Sequence, residues 1–299
     1  MAAQGGGPIP VFINAEAGGA SGRAVERLRA VLEEAGVDAD IRSTPPAALA
    51  AAVRAAAAAG APIVAVAGGD GTLSTAADAL RGGETALAPI PFGTLNHFAR
   101  RLGIEAPEDA ARALAGRRIV TVPVGTVDDR TFINNAASGL YPHMVRHRER
   151  WRRWLGKWPA AVVAWVYVLA RMRPTRLTLE AHGHRIDRTA VGVWVGLGRG
   201  SFQLPGDARE AEARELEIVV PRAHTRAALI RLALRTLRKL QRGETPAGPG
   251  LDVLHAPAFT LDSRRRVDIA RDGEPERLVA PLEFRVHPDA LRVVAPVRA

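Results

Sequence analysis

The sequence predicts an α/β fold, with a parallel-sheet domain over residues 1–125 followed by a β-rich domain over residues 126–287. Three observations carry that reading. Strand-like and helix-like segments alternate through the first 116 residues, the pattern of βαβ units with right-handed crossovers. The run "IVAVAG" at 63–68 shows no polar alternation, as expected of a strand covered on both faces. Beyond Gly125 the runs become short and turn-bounded, which predicts an antiparallel sandwich or barrel.

The elements follow in order. "PIPVFIN" reads as a strand, and "SGRAVERLRAVLEEAG" has helical spacing, with Val25, Leu28, Val31 and Leu32 on one face and Gly36 as the stop. "VDADIRST" is a short strand. "PPAALAAAVRAAAAAG" is an Ala-rich helix with prolines at its start and Gly60 at its end. "IVAVAG" and "TALAPIP" are strands, while "STAADAL", "HFARRLGI" and "PEDAARALAG" are helices. "RIVTVPVGTVDDRTFINNAASG" reads as two strands around an Asp-Asp-Arg turn, and "RVDIARDGE" as another short strand and turn.

Composition narrows the class. Hydrophobic residues make up 47% and charged residues 24% of 299, enough for a folded protein with a sizeable core. With no cysteine, disulfides and thiolate metal sites are excluded. The start "MAAQGGGPIPVFIN" lacks the charged opening and apolar run of a signal peptide. No apolar run reaches membrane-spanning length; the nearest is "PAAVVAWVYVLA" at 159–170. The formal charge of +10 is uneven: residues 1–142 carry −2 and the remainder +12, so a basic surface belongs to the second half.

The stretch "GGDGT" closes the buried strand and opens a helix, putting three glycines, one acid and one hydroxyl in five positions. In parallel sheets ligands bind beyond the carboxyl ends of the strands. Consecutive amides of Gly68, Gly69, Asp70, Gly71 and Thr72 at a helix start suit phosphate oxygens. Asp70 is read as orienting a cation, accepting from a sugar hydroxyl, or pinning the turn. Thr72 is read as a cap or a phosphate donor. The plain alternative is a tight structural turn. A second loop at the next strand end, "PFGTLNHFARRLG", brings Thr94 and Asn96 to a helix start, where Asn96 also reads as an ordinary N-cap. A Walker loop is excluded because no lysine precedes Lys157, and no GxGxxG or protein-kinase set accompanies the stretch.

Together "GGDGTLST", "PFGTLNHFARRLG", "NNAASGL", "ARDGE" and "FRVHPDALRVVAP" resemble the diacylglycerol kinase catalytic-domain family, the bacterial soluble lipid kinases related to NAD kinases and phosphofructokinases. The resemblance implies a nucleotide domain, a β-sandwich lipid-substrate domain, an active site in the cleft between them, and a tail at 288–299 that returns to the first domain. It implies transfer from ATP with Mg²⁺ to a lipid hydroxyl, with Asn14, Thr44, Gly68–Thr72, Thr94 and Asn96 around the nucleotide. It makes Glu274 the general base, with Asp272 orienting it or helping to hold Mg²⁺. Read alone, "RDGEPE" is a surface Asp-Gly turn. The chain departs from the family where Ser74 and Thr75 replace an Asn-Glu pair and His97 replaces an acid. "PGDAREAEARELEIVV" lacks the family's Asp-Gly pair; Asp207 and Glu212 lie nearby without a spacing that assigns a metal site.

A lipid kinase works at an interface. Residues 143–176 hold nine basic residues against one acid, with Trp151, Trp154, Trp158 and Trp165 interleaved. Arg150, Arg152, Arg153 and Lys157 complete a candidate contact with an anionic membrane surface. "TRAALIRLALRTLRKLQRG" is similar in kind, with Leu229, Ile230, Ala233, Leu234, Leu237 and Leu240 on one face and arginines opposite; its plain reading is a helix packed on its own sheet with a solvated basic face. These features predict a cytoplasmic protein at the inner face of the membrane. A homodimer stays open, and no nucleic-acid motif accompanies the arginines. A family member that binds without catalysis and an NAD kinase remain the alternatives.

Overall fold

In a computed structural model, residues 7–14, 22–93, 95–139, 175–181, 183–198, 201, 213–222, 225–242, 248, 250–263 and 266–297 are described. They form two compact units, which divide at Val124/Gly125 and again at His287/Pro288.

The first unit alternates strands and helices: β1 (Ile9–Asn14), α1 (Gly22–Glu34), β2 (Ala39–Thr44), α2 (Pro46–Ala58), β3 (Ile63–Gly68), α3 (Asp70–Leu80), β4 (Ala86–Pro91), α4 (His97–Arg101) and α5 (Pro107–Gly116). The strands are parallel in the order β2-β1-β3-β4. Every residue of β3 and β4 is buried, which is why neither shows polar alternation. Leu28 and Leu32 of α1 reach the core while Val25 and Val31 pack half-buried against it. In α2 only Leu49 and Val53 are buried, so its remaining alanines supply helix rather than core. The chain leaves β1 for β2 on one side and returns to β3 on the other. That reversal opens a crevice at the carboxyl ends of β1 and β3, where Asn14 and Gly68 stand.

The second unit is antiparallel. Strand β5 (Ile119–Val127) carries the chain into it and pairs with β6 (Arg130–Phe132). Asp128 and Asp129 take φ 46° and 63° in the two-residue turn between them, the left-handed geometry that short hairpins need. Then come β7 (Asn135–Ser138), the hairpin β8 (Thr175–Ala181) and β9 (His184–Ala190), β10 (Trp194–Leu197), β11 (Leu216–Pro221) and helix α6 (Arg226–Gln241). The unit continues with β12 (Leu251–Ala256), β13 (Ala258–Ser263), β14 (Val267–Arg271), β15 (Glu274–Leu278) and the first part of β16 (Leu282–Val294), whose residues from Pro288 onward belong to the first unit. One layer is the six-stranded sheet β12-β11-β10-β7-β14-β15. The facing layer contains β9, β8, β13 and the start of β16. Val195, Leu197, Leu216 and Ile269 from one layer share a core with Leu179, Leu261 and the stacked rings of Phe259 and Phe284, 4.6 Å apart, from the other. Of the sequence's two options, sandwich or barrel, the unit is a sandwich.

Candidate active site

Helix α3 begins at Asp70, four residues before the "STAADAL" segment, so the glycine stretch is itself the first turn of a helix. The helical ladder opens with the amide of Leu73 donating to the carbonyl of Gly69 at 3.0 Å. The amides of Asp70, Gly71 and Thr72 precede it and lie at the positive end of the helix, the arrangement that receives phosphate oxygens. The side-chain amide of Asn14 donates to Oγ1 of Thr72 at 3.0 Å, which leaves the Thr72 hydroxyl hydrogen to be donated elsewhere. Thr44 is aligned with Asn14 in the β1–β2 register, is buried, and donates to the carbonyl of Arg42 at 3.3 Å. Asn14, Thr44 and Gly68–Thr72 therefore cluster at the crevice.

The glycines serve space rather than unusual torsions. None of Gly68, Gly69, Gly71 or Gly93 has a positive φ. A Cβ on Gly68 would lie 2.5 Å from the Thr72 side chain, and one on Gly93 would lie 2.5 Å from the Cα of Gly69. The two loops thus touch backbone to backbone. Phe92 strengthens the junction by donating its amide to the carbonyl of Gly68 at 3.0 Å.

Of the three roles considered for Asp70, the structure shows the pinning one. Its carboxylate oxygens accept from the amides of His97 at 3.1 Å and Phe98 at 3.0 Å, capping α4 from the neighbouring loop. Asn96 also turns inward. It sits at φ 50° and is buried; its Oδ1 accepts from the Gly93 amide at 2.8 Å while its Nδ2 donates to the Gly93 carbonyl at 2.9 Å. It precedes α4 without a side-chain capping bond, so the sequence-based N-cap gives way to a loop clasp, a local bond that outcompetes the cap. Where the family carries Asn-Glu, Ser74 is buried and Thr75 bonds back to the carbonyl of Gly71 at 3.0 Å. Thr94 and the membrane-contact candidates Arg150, Trp151, Arg152, Arg153, Trp154, Lys157 and Trp158 lie outside the described residues, as do Asp207 and Glu212.

In the second unit, Asp272 and Gly273 form a two-residue turn at φ 47° and 88°, joining β14 to β15 with Arg271 aligned to Glu274. Asp272 Oδ1 accepts from the amides of Asn134 at 2.8 Å and Asn135 at 3.1 Å, and Oδ2 from Ile133 at 2.9 Å. This carboxylate fastens the turn to the start of β7. Glu274 is exposed, and its side chain makes no hydrogen bond or ion pair among the described residues. Beside it Glu276 bridges Arg271 and Arg130, and Arg271 also donates to the carbonyl of Thr131. Two carboxylates two residues apart therefore differ in kind, one spent on structure and one available.

Sequence reasoning missed a polar row that begins at Asn135. The register aligns Asn135 with Gly196, Gly196 with Glu217, and Glu217 with His255, all on the face of the six-stranded sheet turned from the core. Glu217 is buried with His255 Nε2 3.4 Å away, and the Oδ1 of Asn135 is buried with no partner among the described residues. Only strand register assembles these residues, and no local motif marks them. No group of three His, Cys, Asp or Glu side chains is placed to hold a metal ion among the described residues.

This geometry is that of a parallel α/β unit joined to a β-sandwich unit with an exposed carboxylate beside a turn that backbone amides hold. A family model described as the diacylglycerol kinase catalytic domain matches residues 8–127, and one described as the YegS C-terminal NAD kinase beta sandwich-like domain matches residues 137–295. The chain belongs to this family of kinases. A relative from Pseudomonas aeruginosa (strain UCBPP-PA14), named "Probable lipid kinase YegS-like", is 29% identical over 261 residues, 82% of this chain and 80% of the relative. A relative of the same name from Pseudomonas putida is 28% identical over 275 residues, 89% of this chain and 88% of its own. A crystal structure of a diacylglycerol kinase from Bacillus anthracis strain Sterne superposes with a TM-score of 0.67 at 17% identity, covering 96% of each chain. At that identity the likeness bears on the fold alone.

Proposed function

We propose that the chain transfers the γ-phosphoryl group of ATP to a hydroxyl of a membrane lipid of the diacylglycerol type, as a peripheral protein at the inner, anionic face of the membrane. Phosphoryl transfer is chiefly positioning and charge stabilisation, with one group needed to take the hydroxyl proton. The first-turn amides of α3 and the Thr72 hydroxyl hold phosphate oxygens. The lipid oxygen bonds to the γ-phosphorus as the bond to the bridging oxygen breaks, ADP leaves, and the hydroxyl proton passes to Glu274. Mg²⁺ supplies neutralisation of the triphosphate charge. Mg²⁺ is usually held by one or two protein carboxylates beside the phosphates, and the described residues assemble no such group, so the ion would be carried chiefly by the nucleotide itself. Asp70 and Asp272 are both engaged by backbone amides, so neither is set aside for it.

One observation carries the proposal: Asp272 is tied down by three amides while Glu274, on the same turn, is exposed and unpaired. The test is ATP turnover against a panel of lipids with Mg²⁺, read by mass spectrometry. Glu274→Gln is expected to lower kcat by about 10²–10⁴-fold with ATP binding retained. Absence of a phosphorylated lipid from folded wild-type protein, or full activity in Glu274→Gln, overturns it. Burial of Ser74 and the inward bond of Thr75 favour a second reading, nucleotide binding without turnover. NAD belongs on the acceptor panel because the family model matching residues 137–295 is described as NAD kinase beta sandwich-like.

A further inference from the structure

Helix α6 has an outward face that its sequence does not announce. Leu229 is buried against Val191, Ala228 and Leu232, and these residues are its inner side. Ile230 and Leu234 are 42% and 49% exposed, although the apolar periodicity groups them with Leu229. Arg231, Arg235, Arg238 and Arg242 are exposed too. At about 100° per residue, Leu234, Arg238 and Arg231 follow Ile230 within roughly 100° of arc. The outward face is therefore a pair of aliphatic side chains one turn apart, edged by arginines. The other large exposed hydrophobic residues among those described, Leu95, Ile119, Val279 and Val297, have no such companion within a helical turn.

From Arg226 to Gln241 the helix contains five basic residues and no acid. A solvated helix face ordinarily mixes both signs. A single-sign face beside exposed aliphatic groups matches the composition of helices that lie in the headgroup plane, with apolar groups in the acyl boundary and cations on lipid phosphates.

We propose that the outward face of α6, formed by Ile230, Leu234, Arg231, Arg235 and Arg238, docks the protein onto an anionic lipid surface. The proposal rests on the lipid-kinase reading only for its purpose, because lipid binding is measured without ATP. The occupant is a membrane rather than a second copy of the chain, since two such faces would set arginines against arginines.

The experiment compares co-sedimentation of the full chain with vesicles of phosphatidylglycerol and phosphatidylcholine against vesicles of phosphatidylcholine alone. Wild type is expected on the anionic vesicles, with binding falling as salt rises. The charge-preserving variant Ile230→Ser/Leu234→Ser is expected to bind at least about tenfold more weakly. Arg231→Gln/Arg238→Gln is expected to lose about fivefold per arginine. Arg54→Gln, the loss of one charge on the exposed side of α2, should change binding by less than about twofold, against about fivefold for each arginine of α6. All substituted side chains are exposed, and unchanged melting temperatures confirm folding.

Wild-type binding to anionic vesicles that the α6 variants keep in full overturns the proposal, as does no vesicle binding by wild type. A double variant that shifts dimer to monomer in sedimentation while binding vesicles normally assigns the face to a second copy and also overturns it. Vesicle binding that requires α6, with no lipid phosphorylated, supports the proposal and removes the kinase reading. Activity on a short-chain, water-soluble acceptor that survives in the α6 variants supports both.

Discussion

Gly93→Ala tests whether the two loops of the first unit are held by direct backbone contact. The new Cβ would lie 2.5 Å from the Cα of Gly69 and 2.7 Å from Oδ1 of Asn96. Carbon–carbon contacts settle at about 3.5–4.0 Å, so the loops must part by about 1 Å. Forced overpacking of this size costs about 1–3 kcal/mol. At about 2–4 °C per kcal/mol, calorimetry of the ligand-free protein should show a melting temperature lower by roughly 2–12 °C. A displacement of about 1 Å in a positioning loop is expected to reduce turnover about a hundredfold. Gly69→Ala supplies the internal comparison, because its Cβ meets only the Cα of Gly93 at 3.4 Å, and Gly7→Ala meets nothing within 4 Å. The expected order of thermal damage without ligand is Gly93, then Gly69, then Gly7. An unchanged melting temperature for Gly93→Ala, or greater loss from Gly69→Ala, refutes the contact account.

Asp70→Asn keeps one acceptor oxygen but turns a donor toward the second amide of α4. It should reduce stability by about 1–3 kcal/mol and weaken ATP binding in a fluorescence titration. Normal stability and ATP affinity with turnover abolished would instead place Asp70 on the reacting atoms. Asp272→Asn leaves three amides with a poorer acceptor and should lower kcat while ATP affinity holds; unchanged kcat would separate the turn's geometry from the chemistry. Asp252 is partly desolvated, which raises its pKa, yet the hydrogen bonds from Arg222 and Arg188 win and hold the carboxyl below its usual range. With a depressed folded value, its stabilisation is present above the unfolded pKa of about 3.9 and is lost as pH falls through the folded value. Both arginines are more than a third exposed, so the gain is at most about 1 kcal/mol. Urea melts of wild type and Asp252→Asn should differ at pH 7 and converge on acidification below about pH 4; a gap that widens in acid contradicts the assignment.

Local rules made much of the first unit legible. A strand without polar alternation, prolines before α2 and Gly60 after it each follow from period, φ restriction or missing Cβ, and the elements lie where those rules put them. The start of α3 was not legible, because three glycines in five residues argue against a helix until the loop at Gly93 packs on them. The face of α6 was ambiguous for a related reason. Periodicity grouped Leu229 with Ile230 and Leu234, and only contact with Val191 decides which of them is buried. Standing at helix starts, Asp70 reads equally as a ligand contact or a pin for the turn, and Asn96 as a ligand contact or an N-cap. Their actual partners, 27 and 3 residues away, are set by the meeting of two strand ends. Asn135, Glu217 and His255 come together through register across four strands, and nothing within any one of those strands records it.

The bond from Asp70 to the backbone of α4 also gives the loop a remote reporter. The exchangeable protons of His97 and Phe98 belong to one segment, yet their partner is a side chain of another. Whatever tightens or loosens the glycine bend should alter how quickly those two protons trade with deuterium. The state of the bend can thus be followed by labelling from a place no ligand needs to touch.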